Sequence, residues 1–87
     1  MLMEKRIGAT IVVIHEKASI PELNAILSVH ADTIIGRQGI PFRDRPFSII
    51  SLVLEGTTDT ISSLTGKIGR LKGVQIKSVL TKNQGDK

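Results

Sequence analysis

An 87-residue chain has room for one domain, and a domain of that size buries only about 60–65% of the surface its unfolded chain exposes, so its core is marginal. It contains no cysteine, which excludes disulfides, thiolate metal sites and cysteine nucleophiles. Twelve Lys and Arg against eight Asp and Glu leave a net charge of +4; the cations are spread along the chain, which points to solubility more than to a polyanion footprint.

The longest apolar run, Ile11–Ile14, is far short of the ~20 residues a spanning helix needs, so no membrane segment is expected. With neither signal peptide nor disulfide, the expected location is the cytoplasm. Residues 1–5 and 83–87 read as loose termini around one domain, 1–87, with an ordered core over about 5–82.

Arg6–His15 (RIGATIVVIH) is rich in β-branched residues, with Ile7, Ala9, Ile11 and Val13 on one face and Val12 and Ile14 on the other. It reads as a strand buried on both faces. Ser19 then opens a helix, with Glu22 at the capping-box spacing and Pro21 in the first turn. Ile20, Leu23, Ile26, Leu27 and His30 form its apolar stripe, and it ends near His30–Ala31. Asp32–Phe42 is extended but broken by Gly36, Gly39 and Pro41, which suits an edge strand. After the polar turn Arg43–Pro46, Phe47–Glu55 (FSIISLVLE) is a second strand apolar on both faces.

Gly56–Asp59 turns into a helix N-cap, with Asp59 placed to complement the helix dipole. Ile61, Leu64, Ile68 and Leu71 make the second helical stripe, and Gly66 and Gly69 within it point to close packing on a neighbour. Arg70-Leu71-Lys72-Gly73-Val74 is a helix C-terminal signature, and Gln75–Thr81 is the last strand. Strand, helix, strand, strand, helix, strand is the split βαβ order: an α+β, ferredoxin-like (ACT-like) four-stranded antiparallel sheet with both helices on one face. Right-handed crossovers put the first and third strands in the middle.

Those middle strands are apolar front and back. One face meets the helices; the other is expected to carry Val12, Ile14 and part of Ile49–Leu54, and one domain offers nothing to cover it. Burying each such side chain is worth about 1.5–3 kcal/mol. Self-association into a dimer or tetramer is therefore expected, through the open face or by edge-to-edge continuation of the sheet.

Candidate chemistry is sparse. Gly66-Lys67 fails the phosphate-loop pattern, because positions 61 and 68 are both isoleucine, so Lys67 reads as a solvated helix residue. His15 and His30 are the only histidines and, without cysteine, hold a metal only with carboxylates or a second subunit; no metal and no cofactor are expected. His15 keeps more interest, because strand-to-helix loops often hold ligands. In Gly36-Arg37-Gln38-Gly39-Ile40-Pro41, two glycines and a proline suggest a bulge or a close backbone approach. Arg37, Gly39 and the nearby Arg43, with His15, are the candidate contacts for an anionic effector. No Ser/His/Asp set has plausible support in the sequence, and the first strand-to-helix loop, Glu16–Ser19, lacks the arginine an acylphosphatase needs. No enzyme is expected. The central strands carry no ring for an RRM-type RNA surface.

The segments Glu4-Lys5-Arg6, Asn24–Leu27, Ile34–Pro41, Ser48–Leu52 and Gly56–Asp59 leading to Leu64–Gly69 together resemble the iron-only hydrogenase system regulator family, over roughly Glu4 to Lys82. The resemblance implies an ACT-like fold. The chain is also similar to the C-terminal domain of nickel-responsive ribbon-helix-helix repressors, sharing the Gly56 turn and the Gly73-Val74 ending. This implies a ligand-gated transcriptional regulator and a tetramer of such domains. The nickel histidines of those repressors align near Gly39 and Pro41 and their ligand cysteine has no counterpart, so nickel sensing is not expected. About five residues precede the first strand, so operator contact would fall to a separate partner. The first loop lacks the Asp-x-Pro-Gly of amino-acid-binding ACT domains. The leading expectation is an oligomeric effector-binding or protein-interaction module of hydrogenase regulation. The alternative is an oligomer that binds nucleic acid through a dispersed basic surface, with salt dependence separating the two.

Overall fold

The computed structural model describes residues 5–81. The expected loose ends at 1–4 and 83–87, and Glu4 and Lys82 at the limits of the family resemblance, lie outside the described residues. The elements are β1 (Arg6–Ile14), α1 (Ile20–Val29), β2 (Ile34–Pro41), β3 (Ser48–Gly56), α2 (Thr58–Gly69) and β4 (Val74–Leu80). The sheet order is β2-β3-β1-β4, every neighbouring pair antiparallel, so the two strands with the densest apolar sequence are central. This is the ferredoxin-like α+β arrangement, with α2 against β3, β4 and α1.

The register corrects the expected faces. Thr10 pairs with Leu52, Val12 with Ile50 and Gly8 with Leu54. Val12, Leu52 and Leu54 are fully buried with Leu23, Leu64 and Ile68 from the helices. Val12 and Ile14 thus lie beneath the helices, not on the open face. The open face carries Ile7, Ala9, Ile11 and Val13 with their partners Glu55, Val53, Ser51 and Ile49. Alternation alone does not choose between two apolar faces. The choice follows from the neighbours: β4 offers Val74 and Ile76 on the helix side but Gln75 and Lys77 on the other. Thr10, the one polar side chain of β1 in the core, is 3.0 Å from Ser78 Oγ through its Oγ1.

The helix starts differ from expectation. Ser19 has helical backbone angles after a 3-10 turn at Lys17–Ser19 and makes no side-chain cap, so the capping box with Glu22 does not form. Its buried hydroxyl instead donates to the Lys72 carbonyl at 2.7 Å, tying the start of α1 to the loop before β4. Pro21 occupies the first turn as expected. Thr57 caps α2, accepting from the Thr60 N–H at 3.1 Å, and Asp59 lies in the first turn. Gly69 approaches β4 closely, since a Cβ there would lie 3.4 Å from Ile76; Gly66 faces only the end of the Arg70 side chain.

Candidate functional site

The β2–β3 connection, the end of β1 and the start of β4 meet at one end of the sheet, because Ile14 pairs with both Ser48 and Val74. His15 is fixed there. Its N–H donates to the Gly73 carbonyl at 2.7 Å, and its Nε2 lies 3.0 Å from Gln75 Oε1. Its ring is 5.5 Å from Phe47, Phe47 is 5.4 Å from Phe42, and the Arg45 guanidinium is 5.5 Å above Phe42. Both phenylalanines of the chain thus join one row, closed by a cation–π contact. Sequence reasoning missed this row, because His15 is distant in the chain from the Phe42–Phe47 segment. The one local signal is a phenylalanine on each side of the turn that holds Arg43 and Arg45. Arg43 is exposed beside them, and Lys17 and Lys72 come from the two adjoining loops. Four cations, Lys17, Arg43, Arg45 and Lys72, thus belong to the loops at this end, together with Glu16 and Asp44.

Arg37 and Gly39 belong elsewhere. Arg37 pairs with Leu52 and Gly39 with Ile50, in the middle of edge strand β2. Four residues of extended strand, roughly 13 Å, and then the turn into which the chain runs separate Arg37 from Arg43. The four expected contact residues therefore do not form one site: His15 and Arg43 share the sheet end, and Arg37 lies on the edge. Gly39 is exposed, with nothing within 4 Å of a Cβ placed on it, and at Gly36 the nearest atom is Val53 Cβ at 3.9 Å. A close backbone approach does not explain these glycines. The expected bulge is present: the β2–β3 register shifts between Ile34 and Gly36, skipping Ile35. Between this segment and the end of α1 is a groove of about 340 Å³, lined by Leu27, Ser28, Ala31, Ile34, Ile35, Gly36 and Arg37.

The second histidine is structural. His30 caps the C-terminus of α1, and Lys67 Nζ lies 3.2 Å from its Nε2. Lys67 is therefore half-buried between the helices and not simply solvated. Burial, and then the charge of Lys67, hold the His30 imidazole below its ordinary pKa of 6.5. The neutral ring accepts from the ammonium. Unfolding restores the ordinary pKa, so the unfolded chain binds the extra proton more readily. The His30 contribution is complete above pH 6.5 and is lost as pH falls through the lowered folded value. A urea midpoint should fall between about pH 7.5 and about pH 5, and by less in His30→Gln. An identical fall in both proteins contradicts this account of the pair. Among the described residues no group of three or more His, Asp or Glu side chains is placed to hold a metal ion, and no helix is long and apolar enough to cross a membrane.

The sequence model of the TM1266-like family, described as "Iron-only hydrogenase system regulator, putative", matches residues 6–78. The structure is similar to that of uncharacterized protein TM1266 from Thermotoga maritima, with a TM-score of 0.85 at 35% identity, over 91% of this chain and all of that one. The C-terminal domain of the MgtC protein from Mycobacterium tuberculosis follows at a TM-score of 0.67 and 15% identity, over 99% of each chain. A de novo designed protein, Foldit4, reaches 0.56 at 9% identity, over 93% of this chain and all of that one. These last two likenesses show the fold alone. No curated protein sequence matches the chain.

Proposed function

Because the chain belongs to the TM1266-like family of iron-only hydrogenase system regulators, we propose that it serves that system as a self-associating effector-binding module in the cytoplasm. The observation that carries this reading is the open sheet face. Ile11, Val53, Ile40 and Val79 are 45%, 40%, 38% and 72% exposed there, beside half-buried Val13 and Ile49. A contiguous apolar patch spanning all four strands is more than a lone small domain leaves open to water. The occupant is a second copy. Of the residues interleaved with the apolar ones, Ser51, Gln38 and Gln75 are uncharged and Lys77, beside Ile11 on β4, is charged; Glu55 lies beside Ile7 on β3. A two-fold pairing lets Glu55 of each copy meet Lys77 of the other, since an isologous patch must complement itself. A dimple of about 150 Å³ lined by Ile11, Val13, Gln75, Ile76 and Lys77 offers a socket for a side chain of the facing copy. Support for the regulatory role comes from the family.

Deleting the gene in a cell that makes an iron-only hydrogenase should change hydrogenase transcript or activity. Re-introducing the wild-type chain should restore it, and re-introducing Val53→Glu should not. Unaltered transcript and activity in the deletion strain contradict the regulatory role. A second reading rests on the basic sheet end. If Lys17, Arg43, Arg45 and Lys72 contact nucleic acid, a gel shift must appear at low salt and weaken steeply as salt rises; no shift at low salt excludes it.

A further inference from the structure

We propose that the groove between the end of α1 and the edge strand β2 binds a small apolar carboxylate, with Arg37 holding its anionic head. The groove, at about 340 Å³, is at the small end of ligand sites, which run from about 300 to 1,000 Å³. Its lining is apolar through Leu27, Ala31, Ile34 and Ile35, and Ser28 and Arg37 are the lining residues that carry polar side chains. No lining residue is acidic, so the groove complements one sign of charge.

Two features favour a carboxylate. Arg37 takes part in no side-chain hydrogen bond among the described residues, so its fork of donors is available. A guanidinium matches a carboxylate with two parallel hydrogen bonds. The bulge is the second feature. The ladder passes over Ile35, so the backbone there is outside the β2–β3 register two residues from Arg37 and bends the strand locally. A cationic ligand is repelled by Arg37, and a neutral one leaves the guanidinium unmatched. The apolar floor beneath Arg37 has room for a short hydrocarbon tail.

This deepens the reading of the chain as an effector-binding module, since it names the chemical class of the effector. Amide-resolved NMR of the full 87-residue chain, titrated with hexanoate and separately with hexanol, tests it. Hexanoate should give saturable shifts at Leu27–Ala31 and Ile34–Arg37 with a millimolar Kd, and hexanol much smaller ones. Arg37→Gln should weaken hexanoate by about tenfold, the loss of one charge-assisted contact. Absent or non-saturable shifts, equal response to both probes, shifts confined to the open face, or unchanged affinity in Arg37→Gln each overturn the proposal. So do dilution-dependent shifts at Leu27, Ser28 and Ala31 without probe, which assign the groove to a second copy. Sedimentation of the same samples keeps the two readings apart. Failed hexanoate binding with intact self-association removes only the groove proposal. A monomer that still binds hexanoate removes only the paired module.

Discussion

Replacing Gly73 with alanine should destabilise the domain by about 2–5 kcal/mol, one of the two largest effects expected of any single substitution here. Gly73 has φ +70°, the one described residue with a left-handed backbone. An L side chain there costs about 1–2 kcal/mol before any contact is counted. Contact adds to it. A Cβ on Gly73 would meet the Cβ of Glu16 well inside van der Waals distance, and the Glu16 backbone N and Cα at 3.1 and 3.3 Å. Backbone cannot swing aside as a side chain can. The same loop supplies the Gly73 carbonyl to His15 and the Lys72 carbonyl to Ser19. Displacing Gly73 therefore loosens the joint between β1, α1 and β4. For a domain this small, Tm should drop by more than about 10 °C. Gly39→Ala is the matched control, because nothing lies within 4 Å of its Cβ and its φ is not positive. A Gly73→Ala protein that melts with the Gly39→Ala control contradicts this account of the joint.

The second large effect separates two neighbours on β3. Leu52 is fully buried under the helices, and Val53, one residue on, is 40% exposed on the open face. Leu52→Ala should cost about 2–5 kcal/mol, the transfer of the lost carbons plus the cavity left among Val12, Leu23 and Leu64. Val53→Ala should cost under about 1 kcal/mol in the monomer, because the side chain is already half in water. Its effect should appear in self-association. Urea unfolding at two protein concentrations reads both quantities. If the costs were reversed, the face assignment would be wrong, and the open face would carry Val12 and Leu52.

The fold was legible in the sequence because each element carried its own period or punctuation. The β-branched runs marked the central strands, Pro21 the start of α1, and Gly73 the turn into β4, although α2 ends at Gly69 and leaves Leu71, expected in its stripe, outside the helix. The faces of the sheet were not legible. A strand apolar on both sides gives no parity signal, and the residues that decide the question, Gln75 and Lys77, belong to another strand. The caps were misread for a related reason. Ser19 has the right type and spacing for a cap, but its hydroxyl is drawn to Lys72, 53 positions away in sequence, a partner only the tertiary structure brings near. The candidate site was legible in pieces. Two glycines flanking Arg37 announced the bulge. Phe42 and Phe47 flank the turn that holds Arg43, but nothing local showed that His15 belongs with them at a separate end, because strand register brings it there.

Sedimentation velocity across the micromolar range tests most directly whether the open face is a surface for a second copy. Wild-type protein should sediment as a species of at least twice the 9.4 kDa chain mass. Val53→Glu should run as the single chain with its circular dichroism unchanged. Wild-type protein found only at 9.4 kDa, or a Val53→Glu protein that is folded and assembles as before, contradicts it.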